Sequence, residues 1–268
     1  MAEPLGRAET LSLLDRHGIR LRKELGQHFL VEPNVVRRIV EIAGVKPGSQ
    51  VVEIGAGAGT LTRGLVAAGA RVIAFEIDEA LRPVLEETVG ETAEVWFMDA
   101  AQVDFEALLP HGEWTVVANL PYNVGTPIVL DLLRNVPRVN RFVVMLQREA
   151  VDRLAASPGT KVYGLPSVII GLHSRVQVVM SVAAHLFVPV PQVESAVAVI
   201  ERTPADPSAE RAILLAAAAF GQRRKMIRSA LRAVLDDPDR VITNAGLSPT
   251  DRAEDLAPSD WLRLAGAT

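Results

Sequence analysis

The loop at residues 51–60 has the sequence Val51-Val52-Glu53-Ile54-Gly55-Ala56-Gly57-Ala58-Gly59-Thr60. A short apolar run that ends in glycines is typical of a buried strand that turns directly into a helix. Glycine lets the backbone turn sharply, and because it has no Cβ, a small ligand can approach the main chain closely. Glu76 follows twenty-one residues after Gly55, at the end of the next apolar run, where a carboxylate can accept hydrogen bonds from both hydroxyls of a ribose.

The spacing of the glycines excludes two kinds of nucleotide loop. A dinucleotide-binding loop would have a third glycine at position 60, where this chain has Thr60, and no Gly-Lys-Ser/Thr follows as a P-loop requires. One remaining interpretation is a tight turn of the kind found in any α/β protein. The other rests on the spacing G-x-G-x-G, with Glu53 two residues before Gly55, which resembles the cofactor loop of class I S-adenosylmethionine (SAM) methyltransferases.

From residue 50 onward, short apolar runs alternate with segments of helical spacing, which predicts a parallel sheet with helices on both faces. The predicted strands cover residues 50–54, 71–75, 94–98, 115–118 and 142–146, and the predicted helices cover 60–68, 79–89, 127–134 and 148–156. Two later β-rich runs, at 176–182 and 195–201, are expected to pair antiparallel at a sheet edge. The predicted fold is therefore α/β, with a mostly parallel Rossmann-like sheet and one antiparallel edge strand.

Residues 203–208 contain two prolines among polar residues and are predicted to be a linker. The pattern after them is purely helical. We therefore expect a catalytic domain over residues 1–203, which would bind the cofactor, and a small all-α domain over residues 204–268. Residues 1–30 would form a basic N-terminal arm, and the resemblance to SAM methyltransferases implies that its last residues close over the cofactor.

Composition excludes several classes of protein. The 268 residues carry a formal net charge of −4 and contain no cysteine, which excludes disulfides, zinc–thiolate and iron–sulfur sites, and a cysteine nucleophile. No uninterrupted apolar stretch reaches the ~18 residues of a membrane-spanning helix. The first residues contain no apolar secretory segment, so a cytoplasmic protein is expected.

Asn119-Leu120-Pro121-Tyr122 follows the fourth predicted strand. These residues offer hydrogen-bond acceptors and an aromatic ring, which together suit the binding of an aromatic amine. The exocyclic amine of adenine is a poor nucleophile because its lone pair is delocalised into the ring. The Asn119 side-chain oxygen and the Leu120 carbonyl could accept its two N–H bonds, with Pro121 fixing the turn. Tyr122 could stack on the base, a contact worth about 1–3 kcal/mol. The alternative is an ordinary turn, with Asn119 as a turn former and Tyr122 as a packing residue.

Two groups of cations are concentrated locally in this acidic chain. Arg224, Lys225, Arg228 and Arg232 fall within roughly 100° of arc on a helical wheel, which predicts an amphipathic helix with a cationic face. Contact with nucleic-acid phosphates is one interpretation of this face, and an ordinary solvated surface is the other. Earlier cations, which include Arg22 and Lys23, predict a flexible arm that orders on RNA.

Taken together in order, these motifs resemble those of the ribosomal RNA adenine N6,N6-dimethyltransferases, and Leu120 favours the small-subunit type within that family. Further matching segments are Leu25-Gly26-Gln27-His28-Phe29-Leu30, Asp99-Ala100, Phe187-Val188-Pro189-Val190-Pro191-Gln192-Val193-Glu194-Ser195-Ala196 and Ala219-Phe220-Gly221-Gln222-Arg223-Arg224-Lys225. The chain departs from the family pattern at His28, at Met98 and at Leu165-Pro166, and the last of these puts an RNA contact in doubt.

The resemblance implies three sets of functional residues and no metal. The cofactor SAM would contact His28, Leu30, Gly55, Gly57, Glu76, Ile77, Asp99, Ala100 and Asn119. The target base would contact Asn119, Leu120, Pro121, Tyr122 and Phe187. RNA would contact Arg22, Lys23, Arg223, Arg224, Lys225, Arg228 and Arg232.

The activity that the resemblance implies is SAM-dependent dimethylation of two adjacent adenosines in the 3′-terminal hairpin of 16S rRNA. The substrate would be the small ribosomal subunit or its precursor, and each adenine would be flipped into the pocket. The enzyme would be a monomer and would not associate with a membrane. One alternative is N6-methylation of an adenosine in 23S rRNA, as in the macrolide-resistance type. Another is a ribosome-assembly factor that keeps the fold and acts by binding alone.

Overall fold

The computed structural model describes residues 3–22 and 25–268, and these residues form two compact units. The first unit contains the chain up to Val151 together with Gln177–Glu201, and the second contains Asp152–Val176 and Arg202–Thr268. The chain passes from the first unit into the second for the last time after Glu201, beside the predicted linker at 203–208. Residues 152–176, which the sequence analysis assigned to the first domain, belong to the second unit.

Within the described residues, seven strands form one sheet, in the order β4-β3-β2-β5-β6-β9-β7, and two short strands, β1 and β8, form a second. The strands are β1 (Phe29–Leu30), β2 (Gln50–Ile54), β3 (Arg71–Glu76), β4 (Glu94–Phe97), β5 (Trp114–Asn119), β6 (Val139–Gln147), β7 (Ser174–Val182), β8 (Phe187–Val188) and β9 (Ser195–Arg202). Strands β2 to β6 pair in parallel, and β9 pairs antiparallel with β6. The predicted fold class is confirmed, although the antiparallel strand β9 lies one position inside the edge strand β7.

The central strands form where they do because both of their faces are buried. Val51, Val52 and Ile54 in β2 are at most 3% exposed, as is typical of a parallel strand covered by helices on both sides. The helices of the first unit are α1 (Arg7–Arg16), α2 (Pro33–Ala43), α3 (Thr60–Ala67), α4 (Arg82–Thr88), α5 (Phe105–Leu108) and α6 (Gly125–Asn135). Helix α7 (Arg148–Leu154) begins in the first unit and ends in the second.

The second unit is built mainly from helices that pack around an aromatic cluster. They are α8 (Leu165–His173), α9 (Ala209–Phe220), α10 (Ile227–Ala230), α11 (Pro238–Asn244) and α12 (Pro258–Gly266). The Phe220 ring lies 6.0 Å from that of Tyr163 and 6.3 Å from that of Trp261. Helices α8 and α12 approach closely at Gly171, where a Cβ would lie 2.5 Å from Pro258 Cγ.

The predicted amphipathic helix that was to carry Arg224, Lys225, Arg228 and Arg232 is wrong. Only residues 227–230, helix α10, are α-helical in this stretch, and turns lie on both sides of it. The backbone is extended at Met226, which forms an isolated antiparallel bridge with Arg252. The amide of Ile227 donates to the carbonyl oxygen of Asp251 at 2.8 Å, so this long-range pairing replaces the helical hydrogen bonds that the local pattern predicted.

Among the described residues, no helix combines the length and the apolar character needed to cross a bilayer. The same residues contain no group of three or more His, Asp or Glu side chains that could hold a metal ion.

Candidate active site

A cavity opens at the carboxyl ends of strands β2, β3 and β5, where parallel sheets commonly bind their ligands. The segment at residues 25–30 forms its opposite wall. All nine residues predicted to contact SAM line this cavity, and so do four of the five residues predicted to contact the base, one of which, Asn119, belongs to both sets. The first set is His28, Leu30, Gly55, Gly57, Glu76, Ile77, Asp99, Ala100 and Asn119, and the second adds Leu120, Pro121 and Tyr122.

At Gly57 the glycine loop passes so close to the opposite wall that no side chain fits. Gly57 has φ +57°, in the left-handed region, and a Cβ there would lie 2.9 Å from Cδ1 of Phe29. The loop is tied to the neighbouring strand, because the amides of Gly55 and Ala56 both donate to the carbonyl oxygen of Phe75, at 2.8 and 3.1 Å. The backbone therefore forms the cavity floor directly.

Glu76 ends strand β3 with its carboxylate in the cavity wall and only 6% of its surface exposed. One oxygen accepts from the amide of Gly57 at 2.8 Å, and the other accepts from the amide of Asp78 at 2.9 Å. Burial raises the pKa of Glu76 above its ordinary value. Each oxygen keeps a second lone pair, so the side chain can still accept from a pair of ligand hydroxyls.

Glu53 also lines the cavity; it belongs to the glycine-loop pattern but is not among the predicted cofactor contacts. It is 1% exposed, and its Oε2 has no hydrogen-bond partner among the described residues. Burial, reinforced by the nearby charge of Glu76, raises its pKa to about 8. A buried polar atom without a partner is costly, and a ligand group that pairs with this oxygen would remove that cost. The signal available in the sequence was an acid inside an otherwise apolar strand.

A more exposed part of the wall combines apolar side chains with one acid. Ile77 is 47% exposed and Met98 is 39% exposed, and both line the cavity. Asp99 accepts from the amide of Ala101 at 2.9 Å and from the side chain of Gln102 at 3.2 Å. This part of the wall offers an apolar surface and a carboxylate at its edge, which suits a planar heterocycle.

The Asn119–Tyr122 turn meets the segment at residues 25–30 across the cavity. Asn119 Nδ2 donates to the carbonyl oxygen of His28 at 3.1 Å. This bond uses the amide as a donor and leaves its oxygen, Oδ1, as an acceptor. The rings of His28 and Tyr122 are stacked, with centroids 5.2 Å apart.

Phe187 is the predicted base-contacting residue that the structure does not bring to the cavity. It is 0% exposed and lies in strand β8, opposite Leu30 of strand β1. Its ring belongs to the apolar core of the first unit.

Most of the predicted RNA-contacting cations lie in the second unit, and they differ in exposure and in ion pairing. Arg224, Lys225 and Arg232 are exposed, and Arg228 is half-buried. Arg223 is engaged, because its Nε lies 2.8 Å from a carboxylate oxygen of Glu254.

The remaining two predicted cations precede the segment at residues 25–30. Arg22 forms an ion pair with Asp78 at 3.3 Å. Lys23 lies outside the described residues.

Sequence comparison assigns the chain to a protein family. The family model described as "Ribosomal RNA adenine dimethylase" matches residues 18–267. The chain belongs to this family. A relative of this dimethylase from Phenylobacterium zucineum (strain HLK1), named ribosomal RNA small subunit methyltransferase A, is 44% identical over 95% of this chain and 90% of its own length. One of the same name from Acidothermus cellulolyticus (strain ATCC 43068 / DSM 8971 / 11B) is 42% identical over 100% of this chain and 96% of its own length.

Solved structures agree with the fold of the dimethylase. A dimethyladenosine transferase from Plasmodium falciparum has a TM-score of 0.75 at 23% identity, with 88% of this chain and 95% of that chain covered. The 23S rRNA methyltransferase ErmE has a TM-score of 0.69 at 25% identity, with 89% and 98% covered.

The dimethylase is a SAM-dependent rRNA methyltransferase, and the chemistry of its cavity fits that cofactor. Glu53 offers a buried carboxyl oxygen without a partner to a cation, and Glu76 offers acceptors to a ribose. Ile77 and Met98 offer an apolar surface to an adenine ring. An ammonium group, a ribose and an adenine are all parts of SAM.

Proposed function

We propose that this dimethylase converts two adjacent adenosines in the 3′-terminal hairpin of 16S rRNA to N6,N6-dimethyladenosine, within the small ribosomal subunit or its precursor. The choice of substrate is supported by the relatives at 42–44% identity, which are named for the small subunit and matched over 90–96% of their lengths. The observation that carries the chemistry is the Asn119 amide, held by the His28 carbonyl at the edge of the cavity.

Asn119 and Leu120 make the target amine nucleophilic by accepting its N–H bonds. SAM, when bound, supplies an electrophilic methyl group on a sulfonium. With the Nδ2 of Asn119 engaged by His28, Oδ1 accepts one N–H, and the Leu120 carbonyl accepts the other. The lone pair of the amine is then directed out of the ring plane.

The two rounds of methylation place different demands on the same acceptors. After one methyl transfer a single N–H remains, so the second round uses only one of the two acceptors. The methylated ammonium is acidic enough to lose its proton to water, so no general base is needed.

Around the cofactor, each lining residue has a proposed task. Glu53 would hold the ammonium group, Glu76 the ribose hydroxyls and Asp99 the amine of the cofactor adenine. The remaining proposed contacts come from main-chain and apolar groups. These are His28, Leu30, Gly55, Gly57, Ile77 and Ala100.

The target base would leave its stack to enter the pocket and would stack on Tyr122. Pro121 would fix the turn that presents the Leu120 carbonyl. Phe187 is proposed as a second stacking wall. Because its ring is buried in the structure, this role requires strands β1 and β8 to rearrange when RNA binds.

RNA would be held by the cations of the second unit and of the N-terminal arm. The helical residues 204–268 would form the RNA-binding domain, and residues 1–203 the catalytic domain. Arg224 and Lys225, being exposed, would contact phosphates directly. A ribosomal substrate also implies that the enzyme works in the cytoplasm, and we propose that it works as a monomer.

The test is transfer of labelled methyl from SAM to three substrates in parallel: small subunits that lack the modification, naked 16S rRNA and 23S rRNA. Nucleoside analysis of the small subunits should give N6,N6-dimethyladenosine, at up to two residues per particle. Asn119→Ala, which removes the acceptor, should abolish the product. Label in 23S rRNA would instead indicate the macrolide-resistance activity, and SAM binding without any transfer would indicate an assembly factor that acts by binding.

A further inference from the structure

We propose that Ser195 is a positioning residue for this reaction, and that it acts with His28 to fix the ring of Tyr122 against which the target adenine stacks. The inference rests on the proposed function, because it concerns the same base-binding site. Ser195 lies at the first position of strand β9, 73 residues along the chain from Tyr122.

The contact between Ser195 and Tyr122 is a partly buried hydrogen bond between two hydroxyl groups. The Tyr122 hydroxyl oxygen lies 2.7 Å from Ser195 Oγ, and Ser195 is 0% exposed. A phenol is protonated at neutral pH, and burial raises the pKa of Tyr122 further. Its hydroxyl is therefore committed to Ser195 and to the edge of the sheet, which leaves the ring face for the substrate.

His28 fixes the same ring from one side. Its imidazole is stacked on Tyr122 with an angle of 28° between the planes. The imidazole is itself held, because Nδ1 lies 2.8 Å from the carbonyl oxygen of Pro189. One face of Tyr122 is thus covered by a fixed imidazole, and the adenine must use the other face.

These contacts assign His28 a second task besides the proposed cofactor contact. The imidazole supports Tyr122, while the His28 carbonyl oxygen accepts from Asn119. The same residue therefore orients both the acceptor amide and the stacking ring. Ser195 supplies the remaining restraint at the hydroxyl end of the ring, so its loss should affect the placement of the base and leave the cofactor site intact.

The first test observes the ring without relying on activity. The chain contains two tyrosines, Tyr122 and Tyr163, so protein made with ring-¹³C-tyrosine gives two assignable sets of resonances. In Ser195→Ala, we expect the Tyr122 signals to shift and broaden as the ring gains freedom. The Tyr163 signals should stay in place, since its hydroxyl donates to the carbonyl oxygen of Leu256. Unchanged Tyr122 signals in this variant would overturn the proposal.

The second test is a double-mutant cycle of Ser195→Ala and Tyr122→Phe, measured as methyl transfer to small subunits. Each single variant should lower kcat/KM roughly three- to tenfold, the range expected for one neutral hydrogen bond, and the double variant should be no worse than either. SAM affinity should be unchanged in all three. Ser174→Ala removes another buried serine hydroxyl, one that donates to the carbonyl oxygen of Ile170, and should leave kcat/KM unchanged.

The outcomes separate the two proposals. Additive losses in the cycle, or a loss of SAM affinity in Ser195→Ala, would contradict the positioning role while leaving the methyltransferase activity in place. Wild-type protein that methylates no rRNA would contradict the proposed function, and the tyrosine spectra would still decide whether Ser195 holds the ring.

Discussion

At the scale of single residues, Gly57 shows how tightly the cavity is built. A side chain at this position would meet a left-handed backbone, at φ +57°, and the Phe29 ring 2.9 Å away. Left-handed geometry costs a non-glycine residue roughly 1–2 kcal/mol, and the clash would also displace Phe29, which lines the cavity. Gly57→Ala should therefore lower SAM affinity at least tenfold, as measured by isothermal titration calorimetry, and lower the melting temperature.

A matched control separates backbone strain from the clash. Gly90 has φ +52°, and a Cβ at this position would meet no described atom within 4 Å. Gly90→Ala should therefore lower the melting temperature by less than Gly57→Ala, because only the strain acts, and should leave SAM affinity unchanged. Equal loss of SAM affinity in both variants would show that strain, and not the approach of Phe29, is what matters at Gly57.

Glu53 makes the stability of the ligand-free protein depend on pH. Its pKa is raised by burial from about 4.5 to about 8, so between these values the folded state holds a proton that the unfolded state releases. The free energy of unfolding therefore falls as pH rises from about 5 to about 8. Glu53→Gln removes this dependence, so the variant should melt higher than wild type at pH 8, with roughly 2–4 °C for each kcal/mol gained.

The same substitution should have the opposite effect on cofactor binding. Because the glutamine has no charge to offer a cation, SAM affinity at pH 8 should fall even as the melting temperature rises. Glu86→Gln, at an exposed position on α4, should change neither quantity. A Glu53→Gln variant that melts no higher than wild type at pH 8 would show that the buried carboxyl is already satisfied.

At the scale of elements, the segment at residues 25–30 is anchored to the end of strand β3 through one buried acid. The side chain of Asp78 is 0% exposed, and it lies 3.3 Å from a guanidinium nitrogen of Arg22. Gln27 Nε2 donates to the same carboxylate at 2.7 Å, while its oxygen accepts from the amide of Arg22 at 2.8 Å. These bonds fix the wall that faces the glycine loop.

This anchor predicts that Arg22 acts on cofactor binding in addition to any contact with RNA. Arg22→Ala leaves the buried carboxylate short of a partner, which costs about 1–3 kcal/mol of free energy in the folded segment. This variant should therefore release SAM faster in stopped-flow measurements. Arg20→Ala removes the same charge from an exposed position two residues away and should leave SAM release unchanged. If both variants weaken RNA binding and neither affects SAM release, Arg22 serves only as a phosphate contact.

Local patterns predicted the elements whose signals lie within a few neighbouring residues. An apolar run that ends in glycines predicts strand β2, and helical spacing predicts helix α3. Because the carboxyl ends of parallel strands meet at one edge of a sheet, the residues that follow these strands are predicted to lie together around the cavity. Helix α2 was missed although its buried Val36, Ile39 and Ala43 have helical spacing. Helix α8 was missed because it contains Pro166 and Gly171, two residues that usually interrupt helices.

The errors arise where distant parts of the chain decide the outcome. The stretch around Met226 pairs with Arg252, which no helical wheel can indicate. The burial of Phe187 depends on its pairing with Leu30, 157 positions earlier in the chain. The contact of Ser195 with Tyr122 likewise requires that strand β9 lie beside β6.

At the scale of the whole molecule, RNA binding must come from local charge, because the chain as a whole carries a formal charge of −4. Each cation that contacts a phosphate adds about 0.7–0.9 to the slope of log affinity against log salt concentration. Arg224→Ala and Lys225→Ala should each make this slope shallower by about that amount in filter-binding assays with small subunits. Both side chains are exposed, so the melting temperature should stay unchanged.

Two other arginines of the second unit serve as controls for Arg224 and Lys225. Arg223 donates to Glu254 at 2.8 Å and to the carbonyl oxygen of Lys161 at 2.9 Å. Arg223→Ala should therefore lower the melting temperature, because it breaks a structural contact. Arg240 is paired with Asp237 at 3.4 Å, and Arg240→Ala should leave the salt dependence as it is. If Arg240→Ala flattened the slope as much as Arg224→Ala, binding would respond to the total charge of the unit and not to contacts at residues 224 and 225.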